Sequence, residues 1–145
     1  MYKPLYFKTQ EFVSEETYSI RGERSLQLID DRLLRLADYL REQFDTSVVI
    51  NNWHYAKQGQ KIFNQSGLRI YGQKHYRPYS QHSLGRALDM KFSGVPSEVV
   101  RQWLKDNAKF ICKKFNIYGF TVEEGVSWLH IDLRNSGEGF NSFHP

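Results

Sequence analysis

The chain has 145 residues, 40% of them hydrophobic and 15% aromatic, with a net charge of +4. That is enough apolar material for one domain with a core, too short a chain for two, and too apolar a one for disorder. The single cysteine, Cys112, excludes an intramolecular disulfide and a thiolate metal cluster, and no stretch has the apolar length of a secretory leader or a membrane span.

Residues 1–22 are mixed and turn-rich, and are expected to wrap the domain with Phe7 and Phe12 as anchors. From Arg24 to Phe44, Leu26, Ile29, Leu33, Leu36, Leu40 and Phe44 recur at three- and four-residue steps among charged residues, which predicts an amphipathic helix with a core-facing stripe. Ser47 to Asn51 is a β-branched run and reads as a strand. The long segment Asn52 to Tyr79, rich in Gly, Gln, Asn and Tyr, reads as a loop, and its position just before His82 gives it a substrate-facing role. Ala87 to Phe92 reads as a strand, with Ala87, Asp89 and Lys91 on one face and Leu88, Met90 and Phe92 on the other.

Pro96-Ser97-Glu98 marks a helix start with Ser97 as its cap, and Val100, Trp103, Leu104, Ala108, Ile111, Cys112 and Phe115 supply an inward stripe as far as Phe115. Cys112 lies in that stripe, so it reads as a structural thiol. Asn116 ends the helix, Tyr118 to Val122 reads as a strand, and Glu123-Glu124-Gly125 turns the chain into a second strand, Trp128 to Leu133, as a hairpin. The tail from Asn135 to Pro145 is expected to be loose. No repeat or linker divides the chain, so residues 1–145 are read as a single α+β domain, with two main helices on a small, mostly antiparallel sheet.

Two short motifs carry chemistry. Ser80-Gln81-His82-Ser83-Leu84-Gly85-Arg86-Ala87-Leu88-Asp89 is answered by Trp128-Leu129-His130-Ile131-Asp132. His82, Asp89 and His130 make a three-ligand set for one divalent metal, which leaves a coordination position open, as catalytic zinc sites do and closed structural sites do not. Gly85 lets the chain turn from the loop into the strand, so that imidazole and carboxylate converge. His54, His75 and His144 lack such a context and read as ordinary surface or core histidines. Between His54 and Lys91 lie Lys57, Lys61, Arg69, Lys74, Arg77, Arg86 and Lys91 against one carboxylate, Asp89, a strip suited to an anionic partner.

Ser-x-His-x-x-Gly-x-Ala-x-Asp followed by Trp-x-His-x-Asp resembles the zinc D,D-carboxypeptidases and related peptidoglycan peptidases of peptidase family M15, which share a metal site with hedgehog signalling domains; the small phage-borne members are the nearest in character. Phe7 to Phe12 and Val48 to Trp53 resemble the opening and the strand before an Arg-containing loop in the same domain. The resemblance implies a hedgehog/D,D-peptidase-like fold and one zinc ion on His82, Asp89 and His130. It offers Asp132, in the His-x-Asp pair, and Glu124, six before the last ligand, as alternatives for the carboxylate that moves protons. Asp132 equally fits a group that orients a ligand. Many relatives carry an acid three before the last His, where this chain has Ser127. Arg69 matches an arginine that holds a substrate carboxylate or a developing oxyanion, and Ser80 is a second substrate-contact candidate.

The resemblance implies a zinc metallopeptidase that cleaves an amide in peptidoglycan stem peptides, as a D,D-carboxypeptidase or an endopeptidase, and a monomer without membrane association is expected. Synthesis in the cytoplasm is expected, with delivery to the wall by lysis, in a virion or by non-classical export. A non-catalytic, zinc-stabilised cell-wall or virion module is the first rival, suggested by Ser127. A nucleic-acid-binding protein, suggested by the basic strip and its tyrosines, is the second, and leaves the His-Asp-His spacing without a purpose.

Overall fold

The longest helix shows how local chemistry sets the boundaries of this fold. In the computed structural model, which describes residues 1–145, helix α2 runs from Asp31 to Phe44. The amphipathic run that precedes it does not join it. Gly22–Leu28 is a 3-10 helix, Ile29 is extended, and the Asp30 carboxylate caps α2 by accepting from the Arg32 backbone N–H at 3.0 Å. A capping aspartate satisfies an otherwise orphaned amide at a helix start, which here outweighs the continuous apolar stripe. Leu33, Leu34, Leu36 and Leu40 of α2 are fully buried.

The N-terminal segment is more regular than its composition suggests, with a short helix α1 at Glu15–Arg21. It does wrap the domain, and Phe7 and Phe12 are buried. Asp38 of α2 fastens it by accepting from Tyr2 Oη at 2.7 Å and from the Leu5 and Tyr6 amides at 2.7 and 3.1 Å.

The second predicted helix divides into α3, Ser97–Asp106, and α4, Ala108–Phe115. Asn107 interrupts it, its side-chain amide donating to the Trp103 carbonyl at 2.8 Å and so competing with the helical ladder. Ser97 does not cap α3. Pro96 takes that position, and the Ser97 hydroxyl donates to the Ser127 carbonyl at 2.8 Å. Cys112 is half-buried beside the core, and burial pushes its thiol upward, as suits a structural cysteine.

Five strands form one sheet: β1 Val48–Val49, β2 Ala87–Phe92, β3 Gly119–Glu123, β4 Leu129–Asp132 and β5 Gly139–Phe143, in the order β1-β2-β4-β3-β5. The first three pairings are antiparallel, and β5 lies parallel to β3. The expected loose tail is therefore a sheet edge, with Gly119 paired to Gly139 and Glu123 to Phe143. Together these elements make a single compact α+β domain. Alternate residues Leu88, Met90, Phe120, Val122, Leu129 and Ile131 are fully buried in one apolar cluster with the leucines of α2 and with Val100, Leu104 and Ile111 of α3 and α4. The opposite alternation turns Asp89, His130, Asp132 and Lys91 to the other face.

Residues 52–79 contain no helix or strand. They are held by side chains instead. Asn51 accepts from the Ser66 amide at 2.9 Å and donates to the Val13 carbonyl at 3.1 Å, while Asn52 accepts from Phe63 at 2.7 Å and donates to Lys61 at 3.0 Å. Gly67 presses so closely on Phe12 that a Cβ there would stand 2.1 Å from the Phe12 carbonyl oxygen. No helix is long and apolar enough to cross a membrane.

Candidate metal centre

Strand register brings the two motifs together. Asp89 of β2 is directly opposite His130 of β4, and Ala87 is opposite Asp132. Paired residues on neighbouring antiparallel strands project to the same face, so Asp89, His130 and Asp132 share one surface. His82 reaches that surface from the preceding loop. Gly85 makes this possible twice over: its φ is +67°, and a Cβ would lie 1.8 Å from the Leu28 carbonyl oxygen.

His82 Nε2 lies 3.3 Å from Asp89 Oδ1, and His130 Nδ1 lies 2.9 Å from the same oxygen. The three donor atoms fall within 4.8 Å of one another. Ligands about 2.1 Å from a tetrahedral zinc stand roughly 3.4 Å apart, so the cluster needs only small side-chain shifts to close on an ion. The proton arrangement agrees with this. His82 Nδ1 is 2.8 Å from the Gly67 carbonyl, which can only accept, so that nitrogen donates to it and Nε2 is the ring atom turned toward Asp89. His130 Nε2 donates to Asp132 Oδ2 at 2.9 Å, which leaves Nδ1 as the inward donor atom. Anchoring the outer ring nitrogen on a carbonyl or carboxylate is how protein metal sites orient histidine ligands. His82, Asp89 and His130 can hold a metal ion, and the mixed N, N, O donor set suits zinc among others.

Electrostatics bind the cluster tightly. Burial works against the Asp89 carboxylate, but hydrogen bonds with His130 and His82 hold it well below the usual carboxylate range. Burial likewise disfavours charge on His130, yet the Asp132 and Asp89 carboxylates on either side push it up to about 9. Such a ring binds a cation strongly at Nδ1, either a proton or a metal ion in its place.

The other candidates fall into distinct positions. Arg69 Nη2 donates to Asp89 Oδ2 at 2.9 Å and Nε donates to the Gln65 carbonyl at 2.7 Å, so this arginine fixes the Asp89 oxygen that the two imidazoles do not share. Burial pushes its guanidinium down, against the pull of Asp89 and, more weakly, of Glu123. Asp132 is fully buried and shared between His130 and Arg134. Glu124 is drawn to Arg101, its Oε2 lying 3.6 Å from Nε. Ser80 accepts from the His82 amide at 3.2 Å and does not line the cleft, so its hydroxyl braces the ligand loop.

Three further residues belong to this region. Continuing the β3–β4 register by one like-facing pair beyond Thr121–Asp132 sets Glu123 beside His130, and Glu123 pairs with Phe143, whose ring centroid is 5.8 Å from that of His130. Glu123 is half-buried, engages no partner through its carboxylate, and its charge reaches both Arg69 and Arg134. The alternation Thr121, Glu123 was the available signal for it. Arg101, with 4% of its surface exposed, ties α3 to the hairpin by donating to the carbonyls of Glu123, Val126 and Trp128. Nothing in its helical context announces this clamp. His75, set aside in the sequence, joins the cleft wall.

That cleft, of about 370 Å³, opens beside Asp89 and is lined by Lys61, Ile62, Phe63, Arg69, His75, Lys91 and Trp128 among others. Asp89 is the only carboxylate in it. No protein-family model, curated protein or solved structure shows a significant match to this chain.

Proposed function

We propose that this protein is a zinc-dependent peptidase that hydrolyses an amide bond in peptidoglycan stem peptides, with His82, Asp89 and His130 as the metal ligands. The observation that carries the reading is the pair of anchored imidazoles, each with its outer nitrogen committed to an acceptor and its inner nitrogen turned toward Asp89. A zinc ion held there supplies an acidified water near neutral pH and Lewis acidity toward a carbonyl.

The chain's own residues do the rest. Glu123, uncommitted and on the metal-bearing face, accepts a proton from water and returns it to the leaving amine. Asp132 and Arg134 keep the His130 ring in its orientation, and Arg69 does the same for Asp89. The free N–H groups of Arg69 offer hydrogen bonds to the carbonyl oxygen as charge develops on it. Trp128 and Phe63 supply apolar walls for a short side chain.

The test is mass spectrometry of purified muropeptides incubated with zinc-loaded protein beside a chelated control. A metal-dependent mass loss, whose size identifies the bond cut, is expected. No product from protein carrying one equivalent of zinc overturns the reading and favours a wall-binding module, which retains cell wall without releasing new amines. The basic loop with exposed Tyr71 and Tyr79 suits an anionic polymer in either case. Salt-sensitive DNA binding that ignores the metal is the outcome that favours the nucleic-acid alternative.

A further inference from the structure

A second charged recess lies apart from the cleft beside Asp89. It opens at the end of the sheet where β2 and β3 begin and β4 stops, has a volume of about 230 Å³, and is lined by Arg32, Arg86, Arg134, Ile117, Tyr118 and Leu133 among others. It shares no lining residue with the cleft, and no carboxylate lines it.

The three guanidiniums are not equally satisfied. Arg32 pairs with Asp30, its Nη2 standing 2.6 Å from Oδ2, and Arg134 pairs with Asp132, its Nε donating at 2.9 Å. Arg86 has no carboxylate partner. Its Nη2 donates to the Leu133 carbonyl, and its Nε is shut off from solvent without an acceptor. Clamping one carbonyl uses a small part of a five-donor fork, and a half-buried cation held only by a neutral group is costly unless an anion meets it. The approach to the recess is basic as well. Residues 107–122 hold three lysines, Lys109, Lys113 and Lys114, and no acidic residue, and the Asn116 carbonyl in this stretch accepts from Arg32 Nη1 at 3.5 Å.

We infer that this recess binds a phosphate group carried by a ligand, as a phosphomonoester or a phosphodiester, with Arg86 as its anchor and Arg32 and Arg134 as flanking donors. The three guanidiniums come from the start of α2, the start of β2 and the end of β4. N–H groups arriving from three elements suit the several oxygens of a tetrahedral anion better than the single plane of a carboxylate. Two of the three positive charges are already paired, so one anionic charge completes the set. Ile117 and the exposed Tyr118 ring offer an apolar rim for the organic part of the ligand. The site stands on this geometry and does not depend on the peptidase reading.

The test is isothermal titration of the zinc-loaded protein with methyl phosphate and with acetate at constant ionic strength. Methyl phosphate is expected to bind at one equivalent and at least tenfold more tightly than acetate. In Arg86→Met its affinity should fall at least tenfold, with zinc content unchanged. Affinity left unchanged in Arg86→Met would assign the anion to the metal or to the cleft and overturn the site. Acetate binding as tightly as methyl phosphate in the wild type would overturn it too, as would no binding of methyl phosphate. Should Arg86→Met not fold, the wild type labelled with ¹⁵N-arginine answers instead. The Arg86 Nε–H resonance must move as methyl phosphate is added, and a resonance that stays still overturns the proposal. Dimethyl phosphate then separates the two sources of the group. Binding within tenfold of methyl phosphate identifies a phosphodiester, as in a polymer backbone, and weaker binding than that identifies a phosphomonoester.

Discussion

The two faces of one sheet divide the labour of this protein residue by residue. Leu88, Met90, Leu129 and Ile131 face the helices and are fully buried, whereas Asp89, Lys91, His130 and Asp132, their neighbours on the same strands, carry ionisable groups on the other side. The apolar face is held by contact area, which is forgiving of chemical detail but not of volume. The polar face is held by directed polar contacts in a fixed chain: Gly67 with His82, His82 with Asp89, Asp89 with His130, and His130 with Asp132. Apolar packing is concentrated on one face and the candidate metal cluster on the other, so substitutions one position apart should fail in different ways.

The sharpest separation is expected between His82→Ala and Ile131→Ala. His82→Ala should lose stoichiometric zinc and bring cleavage below detection, while circular dichroism still reports a folded chain. Ile131→Ala should lower stability by about 2–5 kcal/mol through the cavity it leaves, read by urea unfolding, and should still bind zinc. If Ile131→Ala lost zinc while remaining as stable as the wild type, the two faces would not be separable as described.

Next in size is the contrast between adjacent glutamates. Glu123→Gln is expected to reduce kcat roughly 10²–10⁴-fold, the usual reach of a general acid–base group, with zinc retained. Glu124→Gln should change kcat by less than about threefold, because its carboxylate serves Arg101 rather than the reaction. Steady-state kinetics with zinc measured on the same samples decides between them, and the reverse ranking would move the base to Glu124.

A smaller effect is expected behind the ligands. Asp132→Asn keeps a hydrogen-bond acceptor beside His130 but removes its charge, and should weaken zinc affinity by about 10–100-fold, measured by competition with a chromophoric chelator.

The smallest is a pH effect on the metal-free protein. His130 is raised from 6.5 to about 9, so its contribution to stability is fully present below pH 6.5 and is lost as pH rises through about 9. Asp89 is depressed below 3.8, so its contribution is present above that value and is lost as pH falls through its lowered range. The melting temperature of the metal-free protein should therefore decline between pH 6.5 and 9. The zinc-loaded protein should show no such decline, because the ion occupies the place of the His130 proton. Parallel declines in both forms would mean that His130 is not a ligand.

Much of the site could be read from spacing alone. The alternation in Ala87 to Phe92 and in Trp128 to Leu133 is local, and it assigns Asp89 and His130 to polar faces without knowledge of their partner strand. The apolar stripe of α2 and the stop at Asn116 are equally local, since periodicity and a left-handed residue with φ of 53° act within a few positions. Boundaries were less legible, because Asp30 and Asn107 each offer the backbone a competing hydrogen bond inside a continuous stripe.

What tertiary structure alone decided was pairing across distance. The tail became β5 because β3 had a free edge to fill, and nothing in Gly139 to Phe143 names that partner. Which of Glu123 and Glu124 shares the face of His130 depended on the phase of β3 against β4, where a slip of one residue exchanges the faces. Arg101 acquired its role from carbonyls that come near only in the folded chain. Sequence by itself determined which residues can ligate and which must be buried, since both follow from side-chain chemistry and short-range periodicity. The fold determined which carboxylates are engaged and which remain free, since that depends on contacts between residues far apart in the chain.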